Sequence, residues 1–502
     1  MATLLALGAT AWAQPTGGVV AAGTATIHTG ANSTTIQQST ANVVINWQGF
    51  NIGAGQSVQF VQPNSSSVAL NRVLGADPSS ILGNLSANGQ VFLVNPNGIL
   101  FGKGSVVNVG GLVASSLNIA DGDFMAGSYK FSGVGGAVLN QGAIHADGGH
   151  VALLGAQVGN EGVISARLGT VTLAAGNGVT LDVAGDGLLN VSVNQGAVDA
   201  LVQNGGLIQA DGGRVLLTAQ SASKLLHSAV NNTGVVRAQT LVTGANGSIM
   251  LMADMHSGTV NVDGTLDASA PNGGNGGFIE TSAAHVKVDG DAQVTTQASA
   301  GKTGNWLIDP MDYTVAVGGG DITGAQLGAN LELNNVTIQS VAGAAGTRGD
   351  VNVNAAVTWS APTTLTLQAV NDVNINAAIT GTNGSLVATA GNDVNVSAAT
   401  KTTTGNLGFT AGNNVNLSAE TTITTGALSA VAGKQRHGLS GFDGDHRRHG
   451  LSRGQRRNRS WHRGGHRVHH LRHQLPNDHH RQSQHPLQPG ELCHDGRGDP
   501  GL

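Results

Sequence analysis

The chain has 502 residues, of which 76 are Gly, 11 are Pro, 3% are aromatic and 11% are charged. An average globular composition carries about 25% charged residues, so a thick aromatic core and a charge-solvated disordered chain are both excluded. Collagen is excluded as well, because the glycines follow no three-residue period.

The net charge of −5 hides two unlike segments. Residues 1–433 hold 11 Lys+Arg and 23 Asp+Glu, a net of −12, which leaves 13 against 6 and +7 for the last 69 residues. The second segment also holds the single cysteine, Cys493, and 12 of the 18 histidines. The first is an acidic, cysteine-free body, a composition that suits a chain crossing an oxidising compartment without disulfides.

From the N-terminus, residues 1–13 read as the remnant of a signal peptide. Leu4 through Ala13 is a short apolar run, and Ala11-Trp12-Ala13 before Gln14 fits an A-x-A cleavage site. The run is too short to span a bilayer, and no later segment reaches about 18 consecutive apolar residues, so no membrane-spanning segment is expected.

Internal repetition dominates the body. Asp350-Val351-Asn352-Val353-Asn354-Ala355 recurs from Asp372, Asp393 and Asn414, at steps of 22, 21 and 21 residues. Within each phrase Val, Ile or Leu alternates with Asn or Ser, the period-2 pattern of a strand with one buried face. A longer phrase, NQGAIHADGGHVALL from Asn140, returns as NGGLIQADGGRVLLT from Asn204, a shift of 64, near three units of 21.

A short strand roughly every 10 residues, with Gly and Asn at the corners, predicts an all-β solenoid: a right-handed parallel β-helix with an N-terminal cap and roughly 20 coils. A narrow coil interior takes ladders of Val, Ile, Leu, Ala and Thr, which accounts for the low aromatic content. Equivalent asparagines are expected to stack as ladders. A β-sandwich array is the competing fold, but its aromatic anchors are missing.

Residues 14–250 are less regular and contain distinctive wording: Asn46-Trp47-Gln48-Gly49-Phe50-Asn51-Ile52-Gly53, FVQPNSSSVALNRV from Phe60, and ILGNLSANGQVFLVNPNGILFGKGSVVNVGGLVASSL from Ile81 to Leu117. This resembles the haemagglutination-activity, or two-partner-secretion, domain that opens filamentous haemagglutinins and high-molecular-weight adhesins of Gram-negative bacteria. The likeness is densest over residues 20–135. GNWLIDPMDYTV from Gly304 resembles a segment found further along such exoproteins.

The resemblance implies a β-helix exported to the periplasm, where periplasmic recognition domains of a partner outer-membrane β-barrel transporter bind the N-terminal domain and pass the chain to the cell surface. It also implies an adhesin-type role, with host receptors or glycans as further partners. The family's NPNG motif maps onto Asn95, Pro96, Asn97 and Gly98, the candidate transporter-recognition turn. The NPNL motif of the haemagglutinin type has no clean counterpart, since Gln62-Pro63-Asn64-Ser65 stands in its place. That departure favours the adhesin branch.

Independently of any family, Pro96 presets φ at the first corner of a turn, while Asn97 and Gly98 tolerate positive φ beyond it. NPNG therefore reads equally as the closure of a coil. Exposed edges of the cap are candidates for strand pairing with a partner.

Catalytic readings find little support. The body has four Glu (Glu161, Glu280, Glu332, Glu420) and five Arg, all scattered, where glycoside hydrolysis needs paired carboxylates. Asp147 and Asp211 hold one place in a repeat and read as turn caps. Asp309 and Asp312 in IDPMDY combine a turn signal with possible ion binding. PNGGNGGF from Pro271 lacks the aspartate of a calcium nonapeptide repeat. The histidines His28, His145, His150, His227, His256 and His285 show no metal-ligand spacing. No catalytic, cofactor or metal site and no nucleic-acid partner are expected. A polysaccharide-degrading β-helix and the N-terminal part of a contact-dependent toxin stand as the alternatives.

The domains expected are a signal remnant (1–13), a secretion domain (14–250), a repeat shaft with units of about 21 residues (251–433) and a His/Arg-rich tail (434–502). After Ala432-Gly433 the repeat breaks in mid-phrase at Lys434-Gln435-Arg436-His437-Gly438. Read one nucleotide later, codons for those residues allow Asn-Asn-Val-Thr-Val, the wording that the repeat requires. The tail is therefore expected to be a frameshift product without ordered structure, and Arg497-Gly498-Asp499 an accident of that frame.

Overall fold

The computed structural model describes residues 14–183, 189–223, 226–242, 246–341, 347–433, 435–437 and 449–450. Strands of mostly three to six residues follow one another with sharp corners, and most pair in parallel with the strand one coil later: His150–Gly155 with Thr170–Ala175, and Val373–Ile375 with Val394–Val396. The result is a parallel β-helix. Among the described residues one long face has 17 strands, of which Val19–Ala22 is an antiparallel cap, leaving 16 stacked rungs.

Eight-stranded and eleven-stranded faces complete the earlier coils, and six-stranded and four-stranded faces replace them in the later ones. The change follows His285–Val288 and Gln293–Thr295, near helix Gly324–Leu331. The long face runs through it unbroken.

Sixteen rungs are fewer than the roughly 20 expected from a 21-residue step. Coils of the N-terminal half are uneven, as the partners Asn140↔Asn160↔Asn204↔Asn232 show: 160 − 140 = 20, 204 − 160 = 44 and 232 − 204 = 28. The 64-residue shift between the two long phrases is therefore two coils, not three. The 44-residue coil loops out strands Gly178–Val183 and Leu189–Gln195, which pair antiparallel with each other, and Gly178–Val183 pairs antiparallel with Tyr129–Ser132 on its other side.

Inside the helix, each inward position forms a column. Val351, Val373, Val394 and Val415 stack one above another at 0–1% exposure. Rings occupy the coil as well, Trp306, Tyr313, Trp359, Phe101 and Phe409 being buried in it, and others lie at its end or outside. Trp47 and Phe50 meet edge to face at 5.5 Å in the first coil, and the Trp47 Nε1–H donates to Asn71 Oδ1 at 3.0 Å. Phe92, Phe124, Tyr129 and Phe131 pack between the long face and the looped-out sheet, with Phe92 and Tyr129 centroids 5.0 Å apart. Chain that leaves the coil has its own apolar face to bury.

Asparagine ladders form in two settings. Asn140, Asn160, Asn204 and Asn232 are buried, each Nδ2 donating to the next Oδ1 at 2.8 Å. Asn352, Asn374, Asn395 and Asn416 form a second, half-buried ladder at 2.7–3.0 Å. Both satisfy side-chain amides without large side chains.

One corner is strained. Leu168 has φ 58°, the only positive φ among described non-glycine residues, where the equivalent corners carry Gly148 and Gly212. Its side chain is 61% exposed. Leu168→Gly is expected to stabilise the fold by about 1 kcal/mol, read as a raised urea midpoint, because glycine removes the left-handed penalty of about 1–2 kcal/mol at the expense of some backbone entropy.

At the far end the 21-residue step continues: Asn414↔Gln435, Val415↔Arg436, Asn416↔His437 and Leu428↔His449. The backbone register thus places Arg436 and His449 one coil beyond Val415 and Leu428. The remaining residues of 434–502, and with them the expected loss of order and the reading of Cys493 and Arg497-Gly498-Asp499, lie outside the described residues, as do residues 1–13.

Candidate transporter-recognition site

NPNG joins strands Gln90–Val94 and Ile99–Phe101. Pro96 and Asn97 occupy the two central positions of a turn closed by Gly98 N–H donating to Asn95 O at 3.0 Å. Of the two residues that tolerate positive φ, Gly98 takes it, at 111°, and Asn97 does not. The reason is the Asn95 side chain, whose Oδ1 accepts from Asn97 N–H at 3.0 Å and folds the turn from within.

The same four residues divide into a buried root and an exposed tip. Asn95 is 0% exposed and its Nδ2 donates to Asp77 O and Ser79 Oγ, both at 3.0 Å. Asn97 Nδ2 donates to Gly75 O at 2.9 Å, so the turn is stapled to the preceding coil twice. Pro96 and Asn97 face solvent. A Cβ on Gly98 would lie 3.0 Å from Ala137 O. NPNG thus closes a coil, and what it offers a partner is its Pro96-Asn97 tip.

Beside this turn, Arg72 bridges the coil to the outer layer. Its guanidinium donates to Asn118 Oδ1 at 3.0 Å and also meets Asp121 Oδ1 and Ile119 O. It is the first charged residue of the chain: residues 14–71 contain no Lys, Arg, Asp or Glu. The N-terminal end of the stack is therefore electrically neutral apart from its histidine, His28.

The other singled-out residues occupy separate coils. Asp147 Oδ1 accepts from Arg167 N–H and Ser165 Oγ–H, both at 3.0 Å, and Asp211 accepts from Arg237 Nη2 at 2.8 Å and Gln239 N–H at 3.1 Å. Each carboxylate ties its own corner to the next one. Asp312 Oδ1 accepts from Gly349 N–H and Asp350 N–H and starts a similar column. The described residues contain no group of three or more His, Cys, Asp or Glu arranged to hold a metal, and no helix long and apolar enough to cross a membrane.

Asp309 stands apart. Burial, and secondarily the Glu280 carboxylate, raise its pKa from 3.8 to about 6, and its Oδ1 has no partner. A raised carboxylate pKa favours the folded state below the unfolded value and loses that contribution as pH rises from about 4 through about 6. Asp309→Asn is therefore expected to stabilise the fold at pH 7.5, by about 1 kcal/mol once solvent screening of this partly buried group is allowed for, and to have little effect at pH 4. Paired urea titrations at the two pH values check it.

A neutral, antiparallel-capped N-terminal end on a parallel β-helix of 16 rungs defines the class: a capped β-solenoid built by repetition. Within that class, the TPS secretion domain model matches residues 11–268, which is 258 of 502 residues, and the chain belongs to this family. Such a domain marks a chain exported by a two-partner system.

Two Haemophilus influenzae proteins, each described as a heme/hemopexin-binding protein, are 35% identical to the chain, over 250 residues in strain Rd and over 257 in the other. Those matches cover 48% and 46% of this chain and 27% of each relative, so the chain spans about a quarter of the length of the relatives it matches. Among solved structures, the HMW1 secretion domain from Haemophilus influenzae is 22% identical with TM-score 0.45, covering 86% of this chain and 100% of that one. The filamentous hemagglutinin secretion domain is 15% identical with TM-score 0.37, covering 67% and 99%.

Proposed function

We propose that the chain is a surface-exposed exoprotein whose N-terminal domain is recognised by the periplasmic domains of a partner outer-membrane β-barrel transporter, with the Pro96-Asn97 tip as part of the recognised surface. The repeat coils are the exported passenger and serve attachment to cells or host surfaces. The observation that carries this reading is the family match over residues 11–268, the end of the chain that bears the cap and the stapled turn.

The test is expression in a Gram-negative host with and without the transporter. Chain on the cell surface or in the medium only when the transporter is present supports the reading; equal export without it overturns it. Binding of the purified body to epithelial cells, against a heat-unfolded control, tests attachment.

A second reading, capture of heme or hemopexin, is favoured by the descriptions of the two relatives. It predicts retention of the body on hemin-agarose or on immobilised hemopexin.

A further inference from the structure

Among the described residues, the cap ends in a strand with one unpaired edge. Ala25–Thr29 is the terminal strand of the eleven-stranded face and pairs, among those residues, only with Ser33–Gln38, antiparallel and without a register shift. Thr24 O accepts from Ser39 N–H at 2.9 Å, and Gly30 N–H donates to Ser33 O at 2.7 Å. Antiparallel alternation then turns the backbone groups of Thr26 and His28 toward the neighbour, and those of Ala25, Ile27 and Thr29 away from it. Ala25 and Ile27 pack side chains against the core, whereas Thr26 and His28 are exposed.

Native proteins guard such edges with charge, proline, bulges, short strands or a covering element. Other terminal strands of this molecule show these devices. Val19–Ala22 has a register shift, Ser79–Ile81 is three residues long, and Tyr129–Ser132 carries Lys130. Leu189–Gln195 has a shifted register, and Arg214 Nη1 donates to its Asn190 Oδ1 at 3.1 Å. His285–Val288 carries Lys287, whose Nζ pairs with Asp321 at 2.6 Å, and in Gln293–Thr295 Val294 O accepts from Asn334 Nδ2 at 2.8 Å. Ala25–Thr29 has none of them: five residues, no proline, no bulge, and no charged residue anywhere in 14–71.

We infer that the outer edge of Ala25–Thr29 is a docking edge that takes an uncharged β-strand from the transporter's periplasmic domain, extending the eleven-stranded face by one strand. The chemistry selects the occupant: outward N–H and C=O groups repeating every second residue are satisfied together only by extended backbone, and a neutral edge imposes no charge desolvation on the strand that joins it. The edge lies within the secretion domain, at the end of the stack away from the repeat shaft. This inference rests on the proposed transporter recognition and supplies a surface for it beyond the NPNG tip.

The test compares the wild-type chain with two double variants. Ala25→Pro/Thr29→Pro removes two outward donors and leaves the donors that face Ser33–Gln38 in place. Thr26→Lys/His28→Lys keeps every backbone group and adds charge to the exposed side of the strand. Binding to the purified periplasmic domain of the transporter is measured by titration calorimetry, with thermal unfolding to verify the fold.

Both variants are expected to weaken binding about tenfold or more at little change in melting temperature. If the proline pair unfolds the cap, the lysine pair decides. Wild-type binding with equal binding by the folded variants overturns the docking edge and leaves transporter recognition standing. No binding by wild type defeats that recognition itself. Loss of self-association in the variants, with transporter binding intact, assigns the edge to a second copy and overturns the inference.

Discussion

Asn95→Ala is expected to destabilise the secretion domain by about 3 kcal/mol and to abolish export, whereas Asn97→Ala is expected to lower export with a stability loss of about 1 kcal/mol or less. Asn95 is fully buried and spends both ends of its amide: Nδ2 on Asp77 O and Ser79 Oγ, Oδ1 on Asn97 N–H and Asn97 Nδ2–H. Alanine leaves the part-buried Asp77 carbonyl and the buried Ser79 hydroxyl without that donor and loosens the turn. Asn97 is exposed and loses mainly the tie to Gly75 O, for which water substitutes.

Melting temperature and exported amount, measured on both variants, separate folding from recognition. Export of Asn97→Ala at the wild-type level would remove the tip from the recognised surface. Since each coil touches only its neighbours, the damage from Asn95→Ala should stay local, with hydrogen-exchange protection lost in the coils that flank residues 75–98 and kept in the repeat shaft.

Acid is the second large effect, and His150 is its source. The ring is 5% exposed, stacked over Gly111, where a Cβ would lie 3.2 Å from His150 Cε1, and its Nε2 has no partner. Burial lowers the pKa from 6.5 to about 4. The folded state therefore holds a neutral imidazole while the unfolded chain takes up a proton below about 6.5. The stability that this site permits is present above that pH and is lost as pH falls toward 4, amounting to roughly 3 kcal/mol.

His150→Phe is expected to remove this acid limb, leaving urea stability nearly level between pH 7 and 4.5 in an Asp309→Asn background. That background matters because Asp309 acts in the opposite sense over the same range. A pH profile of His150→Phe that still falls as in the wild type would locate the acid sensitivity elsewhere.

Much of the architecture is legible in the residue order, for a local reason. In Asp350 through Ala355 and its three successors, alternation assigns each side chain to inside or outside, and a constant step of about 21 residues tells which side chains stack. The strands Val351–Val353, Val373–Ile375 and Val394–Val396 and the Asn352–Asn374–Asn395–Asn416 ladder follow directly. Family wording around Asn46–Gly53 and Asn95–Gly98 identifies the secretion domain, as the match over 11–268 shows. The step fails where coils are uneven: nothing local in the phrases at Asn140 and Asn204 reveals that the coil between them loops out a hairpin, so 64 residues read as three coils instead of two.

The candidate site was legible as a motif but not as a surface. NPNG announces a turn, yet that Asn95 is its buried root and Pro96-Asn97 its exposed tip depends on Gly75, Asp77 and Ser79, which the previous coil brings beneath it. A cue for the open edge was present, since residues 14–71 carry no charge, but absence of charge marks buried and exposed strands alike. His150 and Asp309 carried no signal of their perturbed protonation, because burial is a property of what packs over a group.

By itself, then, the sequence determined the period, the inward columns, the corners and the secretion-domain wording, all of which are written within one or two coils. The tertiary structure alone decided how many rungs form, where aromatic residues build a second core outside the coil, and which strand ends the stack with its backbone unpaired. Those outcomes turn on which segment lies above which, a contact made across 20 to 44 residues that no local pattern encodes.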